Sequence, residues 1–301
     1  MAAIVAKPFR LALIQLGNVT ANKPHNLAHA RDMILRAVRD TPKKPDLVVL
    51  PECFNSPYGA QHFPQYAEEI GYTPGKAYDA DKTSSESVKM LAQAAKEAGV
   101  WLIGGSIPER DAATQKLYNT STVYDPQGSL VALHRKVHLF DIDIPGKITF
   151  KESETLSAGS TPTTFETPFG KIGLGICYDV RFPELAMLAG RQGCVAMVYP
   201  GAFNLTTGPL HWELLTRARA VDNQIFVAMC SPARDMTAGY HAWGHTTVVD
   251  PMGQIMSTTE ENEDIVYADI DPEVLRSARA GIPVTAHRRF DVYTDVTTVA
   301  L

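Results

Sequence analysis

The stretch KIGLGICYDVRFPELAMLAGRQG, residues 171–193, begins as an apolar run, breaks into charge after a cysteine and continues with helical spacing. Short apolar runs bounded by glycine or proline are typical of strands that are buried on both faces. Pro183 suits the first turn of a helix, and Gly193 suits its end. The stretch therefore predicts a strand, a turn that carries Cys177 and a helix, which together are the β-α unit of an α/β fold.

The same unit recurs along the chain, so that the sequence divides into two matching series. Each series reads as strand, helix, strand, helix and strand, and then as a hairpin whose turn is Asp-Pro-x-Gly, at residues 125–128 and 250–253. The other predicted strands are residues 12–16, 46–52, 100–105, 120–125, 195–201, 225–232, 245–250 and 264–270, and the other predicted helices are residues 24–39, 84–97 and 211–221.

This repeat predicts an α/β fold, a four-layer α-β-β-α sandwich of two pseudo-repeated β-α-β-α-β-β halves. Strands that are apolar on both faces need cover on both, so the sheets should pack on each other with helices outside. No Ser/Gly-rich linker separates the halves, and we expect one domain over residues 1–301. Its core should span about residues 9–272, followed by a C-terminal helix and tail at 273–301.

Composition excludes several classes of function. The 301 residues are 45% hydrophobic and carry a net charge of -5, so nothing indicates a surface for nucleic acid or an anionic membrane. The longest apolar runs are too short to span a bilayer. Four scattered cysteines show no zinc-site spacing and favour a reducing compartment. We expect the cytosol, with the mitochondrial matrix as the alternative because the first 31 residues lack Asp and Glu.

Three ionisable residues follow predicted strands, where ligands bind in open α/β sheets. Glu52 follows LVVLP, Lys136 ends LVALHRK and Cys177 ends IGLGIC. The repeat places the leading strands of both halves side by side, so the three side chains could share one pocket. Each residue also has a simpler interpretation. Glu52 could be a solvated acid, Lys136 part of a charge run and Cys177 a small core thiol.

The surroundings of these residues favour chemistry. Helix N-terminal amides should lower the pKa of the Cys177 thiol, and the apolar neighbours of Glu52 should raise the pKa of its carboxyl group. A Cys–His dyad through His138 is conceivable, but neither papain-like nor caspase-like residues flank the cysteine. His241 and His245 have the spacing of metal ligands but lack the glutamate of a zinc-protease helix. The remaining cysteines, Cys53, Cys194 and Cys230, are interpreted as core residues.

Together these motifs resemble the nitrilase superfamily of carbon–nitrogen hydrolases, over essentially the whole chain from about Phe9. The resemblance is carried by LPECFNSPYG around Glu52, HRKVHLFD around Lys136 and GICYDVRFPE around Cys177. It implies a Glu-Lys-Cys triad that hydrolyses amides through a thioester, without a metal or organic cofactor. It further implies that Glu152 is a second catalytic acid and that the backbone N–H of Tyr178 helps to bind the oxyanion.

Within the superfamily, LFDIDIPGKITFKES, YPGAFNLTTGPLHWELL and ARAVDNQIFVA are most similar to the branch that hydrolyses ω-amides of 2-oxo dicarboxylic acids, such as 2-oxoglutaramate and 2-oxosuccinamate. This similarity suggests substrate contacts from five residues, Arg181, Phe203 (through its backbone), Thr206, Thr207 and Tyr58. Arg181 could instead form a salt bridge with Glu184 or Asp179, and threonines in loops often only cap turns.

Three expectations complete the interpretation. The family usually forms dimers or larger homo-oligomers, so we expect at least a homodimer. Residues 71–83 look longer than is usual and could alter a loop at the rim of the site. The alternatives to this function are an amidase of the same superfamily that acts on deaminated glutathione or a carbamoyl amine, and a scaffold without catalysis.

Overall fold

Two large β-sheets, a two-stranded sheet and seven α-helices make up the computed structural model, which describes residues 5–146 and 148–293. The strands are β1 (Phe9–Gln15), β2 (Leu47–Val49), β3 (Trp101–Ile103), β4 (Ile107–Arg110), β5 (Leu117–Tyr124), β6 (Leu130–Arg135), β7 (Asp141–Ile144), β8 (Ile148–Lys151), β9 (Thr163–Thr167), β10 (Gly170–Leu174), β11 (Ala196–Pro200), β12 (Phe226–Cys230), β13 (Thr247–Val249), β14 (Ile255–Thr258) and β15 (Asp264–Ile270). The helices are α1 (Lys23–Arg39), α2 (Phe63–Tyr66), α3 (Glu86–Ala98), α4 (Pro183–Arg191), α5 (Gly208–Asn223), α6 (Pro272–Gly281) and α7 (Val284–His287).

The sheets contain seven and six strands. The first has the order β15-β1-β2-β3-β5-β4, with β6 beside β5, and the second has the order β14-β13-β12-β11-β10-β9. In each sheet the three leading strands, β1-β2-β3 or β10-β11-β12, are parallel. A helix lies between successive parallel strands, as a crossover connection requires. Strands β7 and β8 form a separate hairpin.

The side chains of β1 show how the layers stack. Leu11 and Leu13 share a buried cluster with Ile172 and Leu174 of β10, so these faces of the two sheets pack against each other. The alternate side chains of β1 instead join a cluster with α1 and α3. Helices α4 and α5 cover the outer face of the second sheet. The predicted four-layer α-β-β-α sandwich is confirmed.

Local signals in the sequence explain where α1 and α3 begin. The side chain of Asn22 accepts a hydrogen bond from the backbone N–H of His25 at the start of α1 (3.1 Å). At the start of α3, the Ser85 side chain accepts from the N–H of Val88 (3.1 Å). These side chains satisfy donors that the first turn of a helix leaves free.

The two predicted Asp-Pro-x-Gly turns have the same geometry. In each, the glycine N–H donates to the aspartate carbonyl oxygen at 2.9 Å, and the glycine φ lies in the left-handed region, +83° at Gly128 and +80° at Gly253. The register of the adjoining strand pair shifts next to both turns. Each turn therefore requires its glycine, because other residues rarely adopt this conformation.

The last strand breaks the symmetry between the halves. Strand β15 follows the second half in sequence, yet it pairs antiparallel with β1 of the first sheet, from Phe9 opposite Ile270 to Gln15 opposite Asp264. The sequence repeat does not predict this crossing, because periodicity reports the buried face of a strand and not its neighbours. Helix α6 then begins at Pro272, as expected, while residues 294–301 of the predicted tail lie outside the described residues.

Among residues 5–146 and 148–293, no helix combines the length and the apolar character that are needed to cross a membrane.

Candidate active site

The three residues at strand ends meet in one buried site. Glu52 follows β2, Lys136 follows β6 and Cys177 follows β10, and the exposed fractions are 1%, 0% and 4%. The Lys136 Nζ atom lies 3.2 Å from Glu52 Oε1. The Cys177 thiol belongs to the same site, because the charges of Glu52 and Lys136 both act on it. The expected convergence of the two halves is therefore present, and it joins one acid, one cation and one thiol.

Glu152 supplies a second carboxylate to the same lysine. It begins a short 3₁₀ turn after β8, and its Oε1 atom lies 2.9 Å from Lys136 Nζ. Its other oxygen, Oε2, accepts a hydrogen bond from the backbone N–H of Phe140 at 2.8 Å. The ammonium group donates to Glu52 and Glu152, which leaves one of its three protons for a bound molecule.

Burial and charge oppose each other at Lys136. Burial alone would lower the pKa of the ammonium group, but the charges of Glu152 and Glu52 more than offset burial and raise the pKa well above its usual value. Burial and the charge of Glu152 raise the pKa of Glu52, against the lowering effect of Lys136. A carboxyl group with a raised pKa is suited to taking and returning a proton, as the apolar neighbours of Glu52 predicted.

Cys177 is the first residue of the 3₁₀ turn over residues 177–181 that follows β10, and its backbone conformation is strained. Its φ is +46°, which is uncommon for a residue with a side chain and is found preferentially at functional sites. Gly201 packs against it so closely that a Cβ atom at residue 201 would come within 3.0 Å of the Cys177 Cα. A side chain at residue 201 would therefore require the backbone at Cys177 to shift by a few tenths of an ångström.

The expected lowering of the Cys177 pKa is wrong. Burial and the negative charge of Glu52 raise the thiol pKa well above its usual value, against the lowering effect of Lys136. The five-residue 3₁₀ turn that follows does not outweigh these effects. The thiol is therefore neutral in the free site and requires a base beside it to become a nucleophile.

Asp179 holds the turn that carries the cysteine. Its Oδ2 atom accepts from the N–H of Ile176 (2.9 Å) and pairs with His134 Nε2 (3.0 Å), while Oδ1 pairs with His138 Nδ1 (2.8 Å). Burial would raise the pKa of Asp179, but the hydrogen bonds from the two histidines lower it. His138 thus binds Asp179, and its ring stacks on that of Phe182 with the ring centroids 3.6 Å apart. These contacts hold the imidazole away from Cys177, so the structure does not contain a Cys177–His138 dyad.

Arg181 has no carboxylate partner among the described residues, so neither salt bridge considered from the sequence is formed. Its Nη1 atom lies 3.1 Å from His211 Nδ1, and its Nε atom is buried without a hydrogen-bond partner. The guanidinium group lies over the rings of Phe203 (4.7 Å) and Tyr178 (5.6 Å). Burial lowers its pKa, which is the response of a cation that lacks an anion.

Cys177 and Arg181 line the same small cavity, which has about 190 Å³ of free space, including the solvent at its mouth. Its other lining residues are Phe140, Tyr178, Ala202, Phe203, Thr207 and Tyr240. The N–H of Tyr178 has no protein acceptor among the described residues, which is common for the first N–H groups of a helical turn. The cavity, which we call the Cys177 cavity, therefore offers a nucleophile, a free amide and an unpaired cation.

The remaining predicted substrate contacts lie at different distances from this cavity. The Phe203 carbonyl oxygen already accepts from the N–H of Trp243 (2.7 Å), so only the Phe203 N–H remains. Thr207 lines the cavity, but its hydroxyl group donates to Asn204 Oδ1 (3.1 Å), and Thr206 is absent from the lining. Tyr58 lies one ring away, with its ring centroid 4.1 Å from that of Tyr240.

Two residues of the site were not predicted. Asn119 of β5 donates from Nδ2 to Glu52 Oε1 (2.8 Å), and its carbonyl oxygen accepts from the N–H of Lys136 (2.8 Å). Tyr240 closes the Cys177 cavity and donates from its hydroxyl group to the carbonyl oxygen of Ala202 (2.5 Å). The asparagine inside an otherwise strand-like run was a usable signal, because buried polar side chains in strands need partners. The loop that carries Tyr240 has no comparable signal.

The other predictions for cysteines and loops have clear outcomes. Cys53, Cys194 and Cys230 are buried free thiols, as interpreted from the sequence. Residues 71–83 contribute nothing to the lining of the Cys177 cavity. Tyr72 and Tyr78 of this segment pack against the cluster that contains α3, on the side of the first sheet away from the second. The expected effect of this segment on the rim of the site is therefore wrong for this cavity.

Known proteins resemble this chain along nearly its whole length. Residues 10–280 match the carbon-nitrogen hydrolase family. The sequence is 55% identical to omega-amidase NIT2 of Mus musculus over 95% of this chain and 97% of that protein, and 52% identical to omega-amidase NIT3 of Saccharomyces cerevisiae over 97% of each. The crystal structure of Saccharomyces cerevisiae Nit3, a member of branch 10 of the nitrilase superfamily, superposes with a TM-score of 0.85 at 48% identity, covering 96% of this chain and 99% of that chain.

Proposed function

The chain belongs to the carbon–nitrogen hydrolase family, and on that premise we propose that it is an ω-amidase. It hydrolyses the terminal carboxamide of 2-oxoglutaramate and 2-oxosuccinamate to the 2-oxo acid and ammonia. The observation that carries the proposal is the Cys177 cavity, where a nucleophile and an unpaired arginine face the same small space. Such a cavity suits a short molecule with an amide at one end and a carboxylate at the other.

The first half of the reaction forms a thioester. Glu52 takes the proton of the Cys177 thiol, and the thiolate attacks the amide carbon. The oxygen that becomes negative receives hydrogen bonds from the Tyr178 N–H and from the free proton of Lys136. The C–N bond then breaks, and Glu52 returns the proton to the departing ammonia.

The second half of the reaction uses the same groups in reverse. Glu52 takes a proton from a water molecule, whose oxygen attacks the thioester carbon, and the proton then returns to the Cys177 sulfur as the acid leaves. Glu152 keeps Lys136 in place through both steps, since its Oε1 atom lies 2.9 Å from the Nζ atom. A lysine held between two carboxylates stays charged and can stabilise the oxyanion twice in each cycle.

The far end of the substrate is bound by charge. Arg181 pairs with the carboxylate, since a guanidinium fork matches a carboxylate better than any other side chain does. The Phe203 N–H adds a hydrogen bond, and the Thr207 hydroxyl group adds another when the substrate displaces Asn204 Oδ1. The Thr206 hydroxyl group contributes from outside the cavity lining. Tyr58 supports this wall through its contact with Tyr240.

A substrate panel tests the proposed function. We expect ammonia release from 2-oxoglutaramate with a kcat/KM at least about tenfold above those for glutamine, asparagine and deaminated glutathione, because the cavity has only about 190 Å³ of free space and contains one cation. The measurement is coupled ammonia release at matched substrate concentrations. A higher kcat/KM for deaminated glutathione or a carbamoyl amine would assign the protein to another amidase of the family.

Substitution of Arg181 separates carboxylate binding from catalysis. For Arg181→Ala we expect KM for 2-oxoglutaramate to rise about 10- to 100-fold, because a hydrogen-bonded charge partner contributes about 1.5–3 kcal/mol. Hydrolysis of a neutral primary amide of similar length should change little. Arg191→Ala, on the outer surface of α4, is the matched control. An unchanged KM in Arg181→Ala would exclude the proposed role.

The homodimer is proposed on the surface of α5. Leu210, Leu214 and Val221 lie on one face of this helix with exposed fractions of 62%, 61% and 46%, and Val221 adjoins the turn of the β13–β14 hairpin. Soluble proteins rarely leave such a contiguous apolar strip uncovered. The sequence did not reveal the strip, because α5 also carries apolar residues on its buried face.

Charge on this face should separate the subunits. We expect Leu210→Glu combined with Leu214→Glu to convert a dimer into a monomer, because two buried carboxylates at the centre of the interface would lack partners. Light scattering after size-exclusion chromatography measures the mass. Met236→Glu, at another exposed apolar residue, is the control. A dimer that persists in the double variant would place the interface elsewhere.

The compartment proposed for the protein is the cytosol, with the mitochondrial matrix as the alternative. Four free thiols support a reducing environment. Fractionation of cells that produce the full chain tests the assignment, and recovery from an oxidising compartment would contradict it.

A further inference from the structure

A second and larger cavity begins on the Glu52 side of the site. It has about 720 Å³ of free space, including the solvent at its mouth, between residues 16–19, 51–62 and 232–242, and we call it the Glu52 chamber. Glu52 lines the chamber, whereas Cys177 and Arg181 line only the Cys177 cavity. Tyr240 lines both spaces, so its ring is part of the wall between them. Nothing in the mechanism above uses the chamber.

The proposed function fixes which part of the substrate points toward this chamber. With the carboxylate on Arg181 and the carbonyl carbon at Cys177, the amide nitrogen lies toward Glu52, which must protonate it. The Oε1 atom of Glu52 is occupied by Asn119 (2.8 Å) and Lys136 (3.2 Å), but Oε2 is buried without a partner. Oε2 is therefore the atom that meets the nitrogen, and a substituent on that nitrogen would extend into the chamber.

The lining of the chamber indicates what kind of substituent fits. Leu16, Val19 and Phe54 provide apolar surface, and no lysine or arginine lies among the lining residues. The only carboxylates in the lining are those of Glu52 and Asp235. A space with apolar walls and negative charge suits a neutral or cationic amine and disfavours an acidic one. An ammonia molecule alone would need far less than this volume.

We propose that the protein also hydrolyses secondary ω-amides, namely N-alkyl monoamides of 2-oxo dicarboxylic acids, and releases the alkylamine through the Glu52 chamber. The inference rests on the proposed function and extends it to the leaving group. The Cys177 sulfur forms the thioester bond as the C–N bond breaks, and Glu52 transfers the thiol proton to the departing amine. Water then hydrolyses the thioester, so that one amide and one water give one acid and one amine.

The test compares 2-oxoglutaramate with its N-propyl derivative, with separate measurement of propylamine and 2-oxoglutarate. We expect stoichiometric propylamine, with a kcat/KM within about 100-fold of that for the parent amide, because a propyl group that fits the chamber avoids the loss of about 10- to 200-fold that a single misfitting methylene can cause. Cleavage of the parent amide without propylamine release would overturn the inference and leave the proposed function intact. Cleavage of neither amide would overturn both.

Variants assign the effect to the chamber. Ala238→Phe introduces bulk into the chamber lining without contacting the Cys177 cavity, and Gln61→Trp does so from another segment of the lining. We expect each to lower kcat/KM for the N-propyl amide at least about tenfold while changing that for the parent amide less than about threefold. Ala113→Phe, in an exposed turn away from both cavities, is the matched control and should change neither. Equal losses on both amides would overturn the assignment, because the chamber would then serve the parent reaction.

Discussion

Cys177→Ala is expected to abolish ammonia release from 2-oxoglutaramate, with a loss of kcat on the order of 10⁵-fold or more, as for removal of other catalytic nucleophiles. The other three cysteines are buried free thiols, and none of them lines the Cys177 cavity. The fold should survive, because alanine is smaller than cysteine and residue 177 already tolerates a φ of +46° with a Cβ atom. Ammonia release, circular dichroism and the melting temperature measure the two effects separately.

Cys194→Ala is the matched control for this prediction. Cys194 is fully buried but lies outside the cavity, so its loss should cost about 1 kcal/mol of stability through lost packing and leave kcat unchanged. Full activity in Cys177→Ala would exclude Cys177 as the nucleophile. Labelling with iodoacetamide adds a second readout, because a scaffold without catalysis would show an unmodified Cys177 and release no ammonia.

Glu52→Gln is the second large expected effect, with a fall in kcat of about 10²- to 10⁴-fold, the range that general acid–base catalysis contributes. The amide keeps the shape of the side chain but cannot take the thiol proton. Since burial raises the pKa of the Cys177 thiol, too little thiolate forms without the base. Single-turnover kinetics should show the loss already at thioester formation.

The dependence of activity on pH provides a second test of Glu52 as the base. Glu52 must be deprotonated to act as a base, so activity should rise with pH through its pKa, which burial raises above the ordinary value for glutamate. This acidic limb should disappear from the residual activity of Glu52→Gln. If Glu52→Gln kept both the original rate and the acidic limb of the pH profile, a residue other than Glu52 would be the base.

Glu68→Gln is the control for a buried glutamate outside catalysis. Glu68 accepts hydrogen bonds from Ser85 (2.6 Å) and Ser87 (2.6 Å) beside α3, and it lies outside the lining of the Cys177 cavity and of the Glu52 chamber. Its substitution should lower the melting temperature and leave kcat and the pH profile unchanged.

The sequence predicts the layers and the three strand-end residues because both depend on local pattern. An apolar run ends where the chain leaves the sheet, so Glu52, Lys136 and Cys177 could be located without knowledge of their partners. The pKa of Cys177 could not be predicted in this way. It depends on burial and on the distance to Glu52, which are properties of the assembled pocket.

Residues that act through distant partners escaped the same reasoning. Asn119 lies on β5 and contacts Glu52, and the pairing of β5 with its neighbouring strands does not predict this contact. Tyr240 reaches the cavity from a loop whose sequence has no repeating pattern. The crossing of β15 was missed for a related reason. A strand's alternation identifies its buried side chains, but the choice of neighbour depends on which sheet edge is left uncovered.

The pairing of β1 with β15 has a consequence for biosynthesis. Strand β1 is synthesised long before one of its neighbours, since Phe9 lies opposite Ile270. Until then the first sheet has an edge strand whose backbone N–H and C=O groups are unpaired and whose side chains are mostly apolar, and contacts this distant in sequence form slowly. The nascent chain should therefore depend on chaperones until β15 has been translated, and truncation before β15 should cause aggregation rather than yield an independently folded half.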